Sequence, residues 1–259
     1  DNSLPLSFNY DQMFVDNRFS DIDRIGDANQ ITLAMTTQFR SANTGIVKAT
    51  ASLGEIYYLH NRRVLNCTAS NDNNPNNPIC PNYYLPAENT QDISPLAGQL
   101  SYNINPFWQM TGDLVYNPKR NRIDNQTYNL SYDSDSQHII NFTYTYARNV
   151  TTDQGAPINN GLNNLEQTGI STFWPINNHW KGLGEVNFSL NRHRFQSYLY
   201  GVEYDSCCWA FRAVINRAFV GLNPTFDNNY DNRFYIQLAL NGLTALGTHN
   251  PSGLLSTAI

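Results

Sequence analysis

The sequence of 259 residues predicts an all-β fold, an antiparallel transmembrane β-barrel arrangement with about 12 long strands. Three observations support this prediction. Apolar and polar residues alternate with period two along most of the chain, which is typical of a strand with one apolar face. Several of these runs reach roughly 10 residues, the length that a strand needs to cross a bilayer. Short and long connections alternate between the runs, as in outer-membrane barrels.

The alternating runs follow one another from the start of the chain to its end. In the clearest run, residues 30–39, the apolar face carries Ile31, Leu33, Met35 and Phe39, and Thr and Gln fill the other face. Weaker runs lie near 45–60 and 166–174. The other runs have apolar residues at alternate positions: Leu6, Phe8 and Tyr10; Leu100, Tyr102 and Ile104; Trp108, Met110, Leu114 and Tyr116; Tyr128, Leu130 and Tyr132; Ile140, Phe142, Tyr144 and Tyr146; Val186, Phe188 and Leu190; Tyr198, Tyr200, Val202 and Tyr204; Trp209, Phe211 and Ile215; and Phe234, Ile236, Leu238 and Leu240.

The connections between these runs indicate the orientation of the strands. Short turns are expected at 41–45, 105–106, 133–136, 175–178 and 205–206. The intervening connections are long and polar at 15–27, 61–91, 149–164 and 221–229, and tighter at 117–122 and 191–194. If strands alternate up and down, every long connection lies at one end, which predicts short periplasmic turns and long extracellular loops. Trp and Tyr near the run ends suit the aromatic girdles of such barrels, although strands favour aromatic residues in any fold.

Composition excludes several classes of function. A net charge of −5 leaves no basic stripe, so no nucleic-acid partner is expected. The five histidines are scattered, and Ile25 and Thr32 replace the oxygen ligands that a calcium loop requires, so neither a metal nor another cofactor is predicted. No nucleophile elbow or phosphate loop occurs, so an enzyme is not expected.

No apolar run is long enough for a membrane helix, and no signal peptide opens the chain, which begins at Asp1 like a processed product or an excerpt.

The four cysteines form two groups with different surroundings. Cys67 and Cys80 flank a segment rich in Asn, Asp and Pro, which has no reason to bury thiols. We therefore expect a disulfide across this loop, worth roughly 3 kcal/mol in the chain-entropy model, and hence an oxidising compartment. Cys207 and Cys208 are adjacent in sequence and cannot easily bond to each other. They either bond elsewhere or are two small buried thiols.

Several motifs, in order along the chain, carry a resemblance to a known family. Residues 16–30, the signature loop below, resemble the D-N-R-F-S-G-x-D-R-I-G-D-A-N-Q signature of the LPS-assembly protein LptD family. Residues 54–58, 201–212 and 240–243 resemble its G-Q-I-Y-Y strand, its G-x-x-Y-x-S-C-C-[YW]-A-[VIF]-R strand pair and its terminal L-x-G-L strand. Asp21 replaces the usual Gly, and the Cys67/Cys80 loop is not general in the family. The matching signature positions are Asn17, Arg18, Phe19, Asp23, Arg24, Gly26, Asp27, Asn29 and Gln30.

The resemblance implies that residues 1–259 are the C-terminal part of an outer-membrane barrel domain. The family's periplasmic jellyroll domain, its first barrel strands and the N-terminal cysteines that bond to the vicinal pair, here Cys207 and Cys208, would lie outside these residues. The implied function is transfer of lipopolysaccharide to the outer leaflet, in contact with outer-membrane lipids, by a barrel that holds an LptE-type plug lipoprotein and is supplied by a periplasmic bridge protein. The lipid would leave through a lateral gate between the first and last strands. One side of that gate would be the strand with Phe234, Ile236, Leu238 and Leu240.

Two other functions remain open from the residues alone. A generic porin or outer-membrane enzyme would close its barrel within these residues and conduct ions or carry a catalytic site on its wet face. A secreted carbohydrate-binding β-sandwich would instead pack two sheets against each other and fold without detergent.

Overall fold

The computed structural model describes residues 6–20, 23–64, 91–134, 138–148, 164–206, 208–222, 228–240 and 244–247. These residues form one antiparallel sheet of 12 strands whose order follows the chain, which confirms the predicted all-β fold. The strands are β1 (Gln30–Arg40), β2 (Val47–Tyr58), β3 (Leu96–Asn103), β4 (Trp108–Asn117), β5 (Arg122–Asp133), β6 (Ile139–Arg148), β7 (Asn164–Pro175), β8 (Trp180–Ser189), β9 (Arg194–Asp205), β10 (Trp209–Leu222), β11 (Asn228–Leu240) and β12 (Thr244–Gly247). A 3₁₀ helix covers Asp11–Phe14, and no helix among the described residues has the length and apolar character to cross a membrane.

The chain divides into two compact units with separate apolar cores. Unit 1 comprises residues 1–102, 111–128 and 145–165, and unit 2 comprises residues 103–110, 129–144 and 166–259. The buried core residues of unit 1 are Met13, Ile56, Ala97 and Val115. Those of unit 2 are Leu183, Leu199 and Val214. Both clusters are small, so most of the large apolar side chains among the described residues lie outside a core.

The strands of both units have one exposed apolar face. On β1, the side chains of Ile31, Leu33, Met35 and Phe39 are 49–70% exposed. Soluble domains do not leave large apolar side chains in extended rows on their surface, so this face requires an apolar surrounding. The further exposed apolar residues include Leu53 and Tyr57 on β2, Leu100 and Tyr102 on β3, Phe142 on β6, Ile170 on β7, Tyr200 and Val202 on β9, Ile215 on β10, and Phe234, Ile236 and Leu238 on β11.

One predicted strand is wrong. Leu6, Phe8 and Tyr10 alternate as a strand would, but residues 6–9 are irregular and lead into the 3₁₀ helix. This stretch, residues 6–15, is called the inserted segment here because it lies against the opposite, mostly polar face of unit 1. Alternation over so few residues does not separate a paired strand from an extended segment that packs on a sheet.

Two short turns of unit 2 lie beside a band of aromatic residues. The Oδ1 atom of Asn105 accepts hydrogen bonds from the backbone N–H groups of Phe107 and Trp108, each at 2.9 Å. Asn177 binds the N–H groups of His179 and Trp180 in the same way. Each turn therefore ends on a Trp that starts the next strand. Aromatic neighbours extend this band, with ring pairs Trp108–Tyr132, Tyr132–Trp174, Trp180–Tyr204 and Tyr204–Trp209.

Candidate functional site

The inserted segment reaches the middle of β1 on the polar face. Its 3₁₀ helix begins where the side chain of Asn9 accepts a hydrogen bond from the N–H of Gln12 at 2.8 Å. The Thr32 hydroxyl donates to the Met13 carbonyl at 3.1 Å, and the hydroxyls of Tyr10 and Thr36 are 3.2 Å apart. Hydroxyl groups of β1 thus form hydrogen bonds with both the backbone and a side chain of the inserted segment.

Met13 anchors this segment, and Gly54 on β2 makes room for it. The Met13 side chain is 1% exposed. A Cβ atom at Gly54 would stand 2.6 Å from Met13 Cε and 2.8 Å from the Leu33 carbonyl oxygen. Only glycine fits at this point without displacing the methionine or the neighbouring strand.

A single amide, Asn17, fixes the shape of the signature loop. Its Oδ1 atom accepts hydrogen bonds from the N–H groups of Phe19 at 3.3 Å and Gly26 at 2.9 Å. Its Nδ2 atom donates to the Arg24 carbonyl at 2.9 Å. Because the amide both accepts and donates, neither Asp nor Leu could replace all three bonds.

The signature loop is joined to the segment after β2 through Asp27. The carboxylate of Asp27 accepts hydrogen bonds from the N–H groups of Arg63 and Val64, and the Arg18 guanidinium lies 3.4 Å from it. Arg18 also donates to the Val64 carbonyl. Burial by itself would raise the pKa of Asp27, but the two N–H groups and the charge of Arg18 outweigh it, so the pKa falls below its usual value. This set of contacts is called the Asp27 clamp.

Most of the remaining signature residues also contact the loop or the adjoining strands. Phe19 is buried, and its ring lies 5.3 Å from the Arg18 guanidinium and 5.5 Å from that of Arg24. At Gly26, a Cβ would lie 3.3 Å from Arg18 Cγ, so a larger residue would crowd the Asp27 clamp. Asn29 accepts a backbone hydrogen bond from Leu59, and Gln30 pairs with Tyr58 at the start of β1. Asp23 is exposed in a turn away from these contacts.

The turn between β9 and β10 carries the vicinal cysteine pair. The N–H of Ser206 donates to the Trp209 carbonyl at 2.9 Å, which closes the turn. Cys208 is exposed. Cys207, Cys67 and Cys80 fall outside the described residues, so their predicted disulfides stay predictions.

An ion network stands beside this turn on the polar face of unit 2. Glu203 on β9 is 8% exposed. It binds Arg212 on β10 through Nε at 2.7 Å and through Nη2, and Lys181 on β8 at 3.4 Å. Lys181 also reaches Asp205 at 3.4 Å. No sequence pattern predicts this network, because only the registers Lys181↔Glu203 and Arg212↔Glu203 bring the charges together.

The predicted gate strand corresponds to β11. Phe234, Ile236 and Leu238 lie on its exposed apolar face, and Leu240 ends the strand opposite Trp209 of β10. The short strand β12 follows it and pairs with residues 237–240 alone. Along residues 228–236, the edge of β11 pairs with no other strand in the described part of the chain.

Comparisons with known proteins agree on one family. The profile of the LPS transport system D family matches residues 2–180. The LPS-assembly protein LptD of Legionella pneumophila strain Lens is 37% identical over 98% of this chain and 30% of its own length. The proteins of the same name from Coxiella burnetii and Xanthomonas oryzae pv. oryzae (strain MAFF 311018) are 30% and 33% identical, each over 94% of this chain and 27% of their own length.

Proposed function

Because the chain belongs to the LPS transport system D family, we propose that it forms part of an outer-membrane β-barrel that assembles lipopolysaccharide into the outer leaflet. The chain spans about 30% of the length of its Legionella relative, so the activity is proposed for a longer protein. Residues 1–259 would be the C-terminal part of the barrel domain. A periplasmic jellyroll domain and the earlier strands would complete that protein.

The observation that carries this proposal is the exposed apolar face of the strands. Strands β1 to β11 have 8 to 14 residues, and a barrel strand needs about 9–11 to cross the bilayer. Each apolar side chain placed in lipid gains roughly 25 cal/mol per Å² removed from water. The aromatic band at the short turns of unit 2 suits a position at a membrane boundary, since Trp and Tyr concentrate where the membrane meets water.

The opposite face suits a polar lumen. It carries hydroxyls beneath the inserted segment and the ion network of Glu203, Lys181 and Arg212. Lipopolysaccharide has a polar sugar part and apolar chains, so a wall that separates a wet lumen from lipid must open along a seam to release it. We assign one side of that seam to β11, whose edge is unpaired over residues 228–236 among the described residues.

The proposed partners follow from the family. An LptE-type lipoprotein would occupy the lumen, and a periplasmic bridge protein would deliver lipopolysaccharide through the jellyroll domain. Cys207 and Cys208 would form disulfides with N-terminal cysteines of the whole protein, and Cys67 and Cys80 would bond to each other. The names of the relatives describe assembly, and we propose no catalytic step.

A complementation experiment tests the function. The full-length protein is expressed in Gram-negative cells depleted of their own LPS-assembly protein, and lipopolysaccharide on intact cells is measured with an antibody. We expect growth and surface lipopolysaccharide to return. A protein that reaches the outer membrane but restores neither would refute the proposal.

The cysteine assignment has its own variants. The pair Cys207→Ser and Cys208→Ser should change mobility on non-reducing electrophoresis and reduce assembly. Cys67→Ser with Cys80→Ser, the matched control, should leave assembly intact. A disulfide from Cys67 or Cys80 to Cys207 would contradict the assignment of the long loops to the other end of the barrel.

A generic porin or outer-membrane enzyme is the second candidate, because it would share the exposed apolar face. It predicts steady ion conductance by the isolated 259 residues in a planar bilayer. A soluble β-sandwich is disfavoured, because its apolar faces would pack against each other, whereas here they are exposed.

A further inference from the structure

Arg217 is a charged residue on the apolar face of β10. It pairs in register with Tyr198 of β9, two positions from the pair Ile215↔Tyr200, and so shares their face of the sheet. Ile215 and Tyr200 are both exposed. A charge on the lipid face costs about 2–4 kcal/mol at the middle of a bilayer but little at its boundary, so its position along the strand decides its role.

The position of Arg217 corresponds to the far boundary of the apolar band. Trp209 begins β10 at the short turn, and Arg217 is roughly 26 Å further along the strand at the usual rise per residue. With a strand tilt of about 40°, the height difference is roughly 20 Å, close to the ~25 Å height of an apolar band. Arg217 thus belongs to the end of the strands where the long connections are found.

The contacts of Arg217 hold its guanidinium but do not neutralise it. Its Nη1 atom donates to the Tyr198 hydroxyl at 2.9 Å, and its Cζ atom lies 4.5 Å from the centroid of the Tyr230 ring. Among the described residues, no carboxylate forms an ion pair with Arg217, whereas Lys181, Arg212 and Arg233 each have at least one. The buried Nε atom of Arg217 has no hydrogen-bond partner there.

The surrounding aromatic residues make this a fixed patch. The Tyr230 hydroxyl donates to the Phe195 carbonyl at 3.1 Å, which holds the ring beside Arg217. The edge of the Phe219 ring meets Tyr230 at 5.9 Å between centroids, and the Arg194 guanidinium lies 3.4 Å from the Phe219 centroid. Two guanidinium groups therefore share one aromatic patch at the membrane boundary.

We propose that Arg217, with Tyr198 and Tyr230, binds a phosphate group of lipopolysaccharide in the outer leaflet, on the outside of the protein. A guanidinium presents a planar set of donors that matches phosphate oxygens, and no carboxylate among the described residues competes with a phosphate for it. The apolar rows of Ile215 and Phe234 beneath it suit the acyl chains of the same molecule. The inference rests on the proposed function, because only a membrane-spanning chain with its long loops outside brings this patch to the outer leaflet.

Native mass spectrometry of the full-length protein with its plug lipoprotein tests the site. The probes are bisphosphorylated lipid A, dephosphorylated lipid A and phosphatidylglycerol, added in detergent. We expect bisphosphorylated lipid A to bind the wild type, and Arg217→Gln to weaken it about tenfold, since one lost charge-assisted contact is worth roughly 1.5 kcal/mol. Arg217→Lys should fall between the two. The matched control is Arg233→Gln, an arginine on the opposite face that is paired with Asp231, and it should bind as the wild type does.

Each outcome decides the proposal. Equal binding of the two lipid A forms to the wild type would overturn it, even if Arg217→Gln failed to assemble. Equal losses for lipid A and phosphatidylglycerol would overturn the assignment to lipopolysaccharide. Failure of the proposed function is seen separately: the wild type would then not restore surface lipopolysaccharide in depleted cells, whatever the binding result.

Discussion

Strands β1–β4 and strands β8–β10 each have an exposed apolar face, but different kinds of contact cover their opposite, polar faces. In unit 1 a separate piece of chain lies on that face, held by Met13 and by the hydroxyls of Thr32 and Thr36. In unit 2 adjacent strands supply Lys181, Glu203, Asp205 and Arg212, two cations and two anions that form ion pairs with one another. Alternation therefore specifies the exposed apolar side of a strand, whereas the opposite side is covered in two different ways.

The ion network should be the more sensitive of the two. Glu203→Ala would leave Lys181 and Arg212 close together without their shared anion, at a cost of about 3 kcal/mol or more. We expect a lower urea midpoint for the full-length protein in detergent, followed by tryptophan fluorescence. Arg233→Ala is the control, because Arg233 is 62% exposed in its pair with Asp231 and should cost less than about 1 kcal/mol. Equal shifts for the two variants would show that burial does not matter here.

The inserted segment should respond to the loss of its anchor. Met13→Ala removes a fully buried side chain and should weaken docking by about 2–3 kcal/mol. Faster proteolysis within residues 6–15 of the assembled protein measures this effect. Phe14→Ala, on the same 3₁₀ turn but 55% exposed, should change little. If both variants were cut at the same rate, the Met13 contact would not hold the segment.

The smallest effect should come from the Asp27 clamp and should depend on pH. Because the folded state lowers the pKa of Asp27 below 3.8, its stabilisation is complete well above that value and is lost as the pH falls through the lowered pKa. Hydrogen exchange at the N–H groups of Arg63 and Val64, corrected for intrinsic rates, should stay slow at about pH 6 and quicken as the pH falls below the usual pKa of an Asp. In Asp27→Asn it should be faster at pH 6 and lose this pH dependence. An unchanged Asn variant would contradict the role of the carboxylate.

The sequence was sufficient to predict the strands where alternation was long. Residues 30–39 became β1, and even the weaker runs near 45–60 and 166–174 correspond to β2 and β7. A period of two is a local property, and neighbouring strands in this sheet are also neighbours in sequence. The short turns followed for the same reason, since Asn105 and Asn177 cap their own turns.

The contacts on the polar face could not be predicted from the sequence in the same way. Met13 shares a buried cluster with Ile56 and Ala97, and Asp27 accepts a hydrogen bond from Arg63, across sequence separations that no local pattern encodes. The family signature placed Asn17, Arg18 and Asp27 in one motif but gave no physical reason for their spacing. That reason is geometric: one amide folds the loop and one carboxylate fastens it to the segment after β2. The gate and the disulfides of Cys207 and Cys208 would involve partners beyond these residues, and Cys67 and Cys80 fall outside the described residues. All three stay predictions.

The Asp27 clamp also bears on how the chain avoids misassembly. A slip of one residue in the pairing of β1 with β2 would turn the apolar side chains of one strand to the polar face of the sheet, which the alternation disfavours. A slip of two residues would leave every side chain on its present face, so the apolar pattern does not disfavour it. It would also move the N–H groups of Arg63 and Val64 by about 7 Å, out of reach of Asp27. The Asp27 clamp forms in the register Gln30↔Tyr58. It therefore favours the native pairing over a slip of two residues, which the apolar pattern does not distinguish.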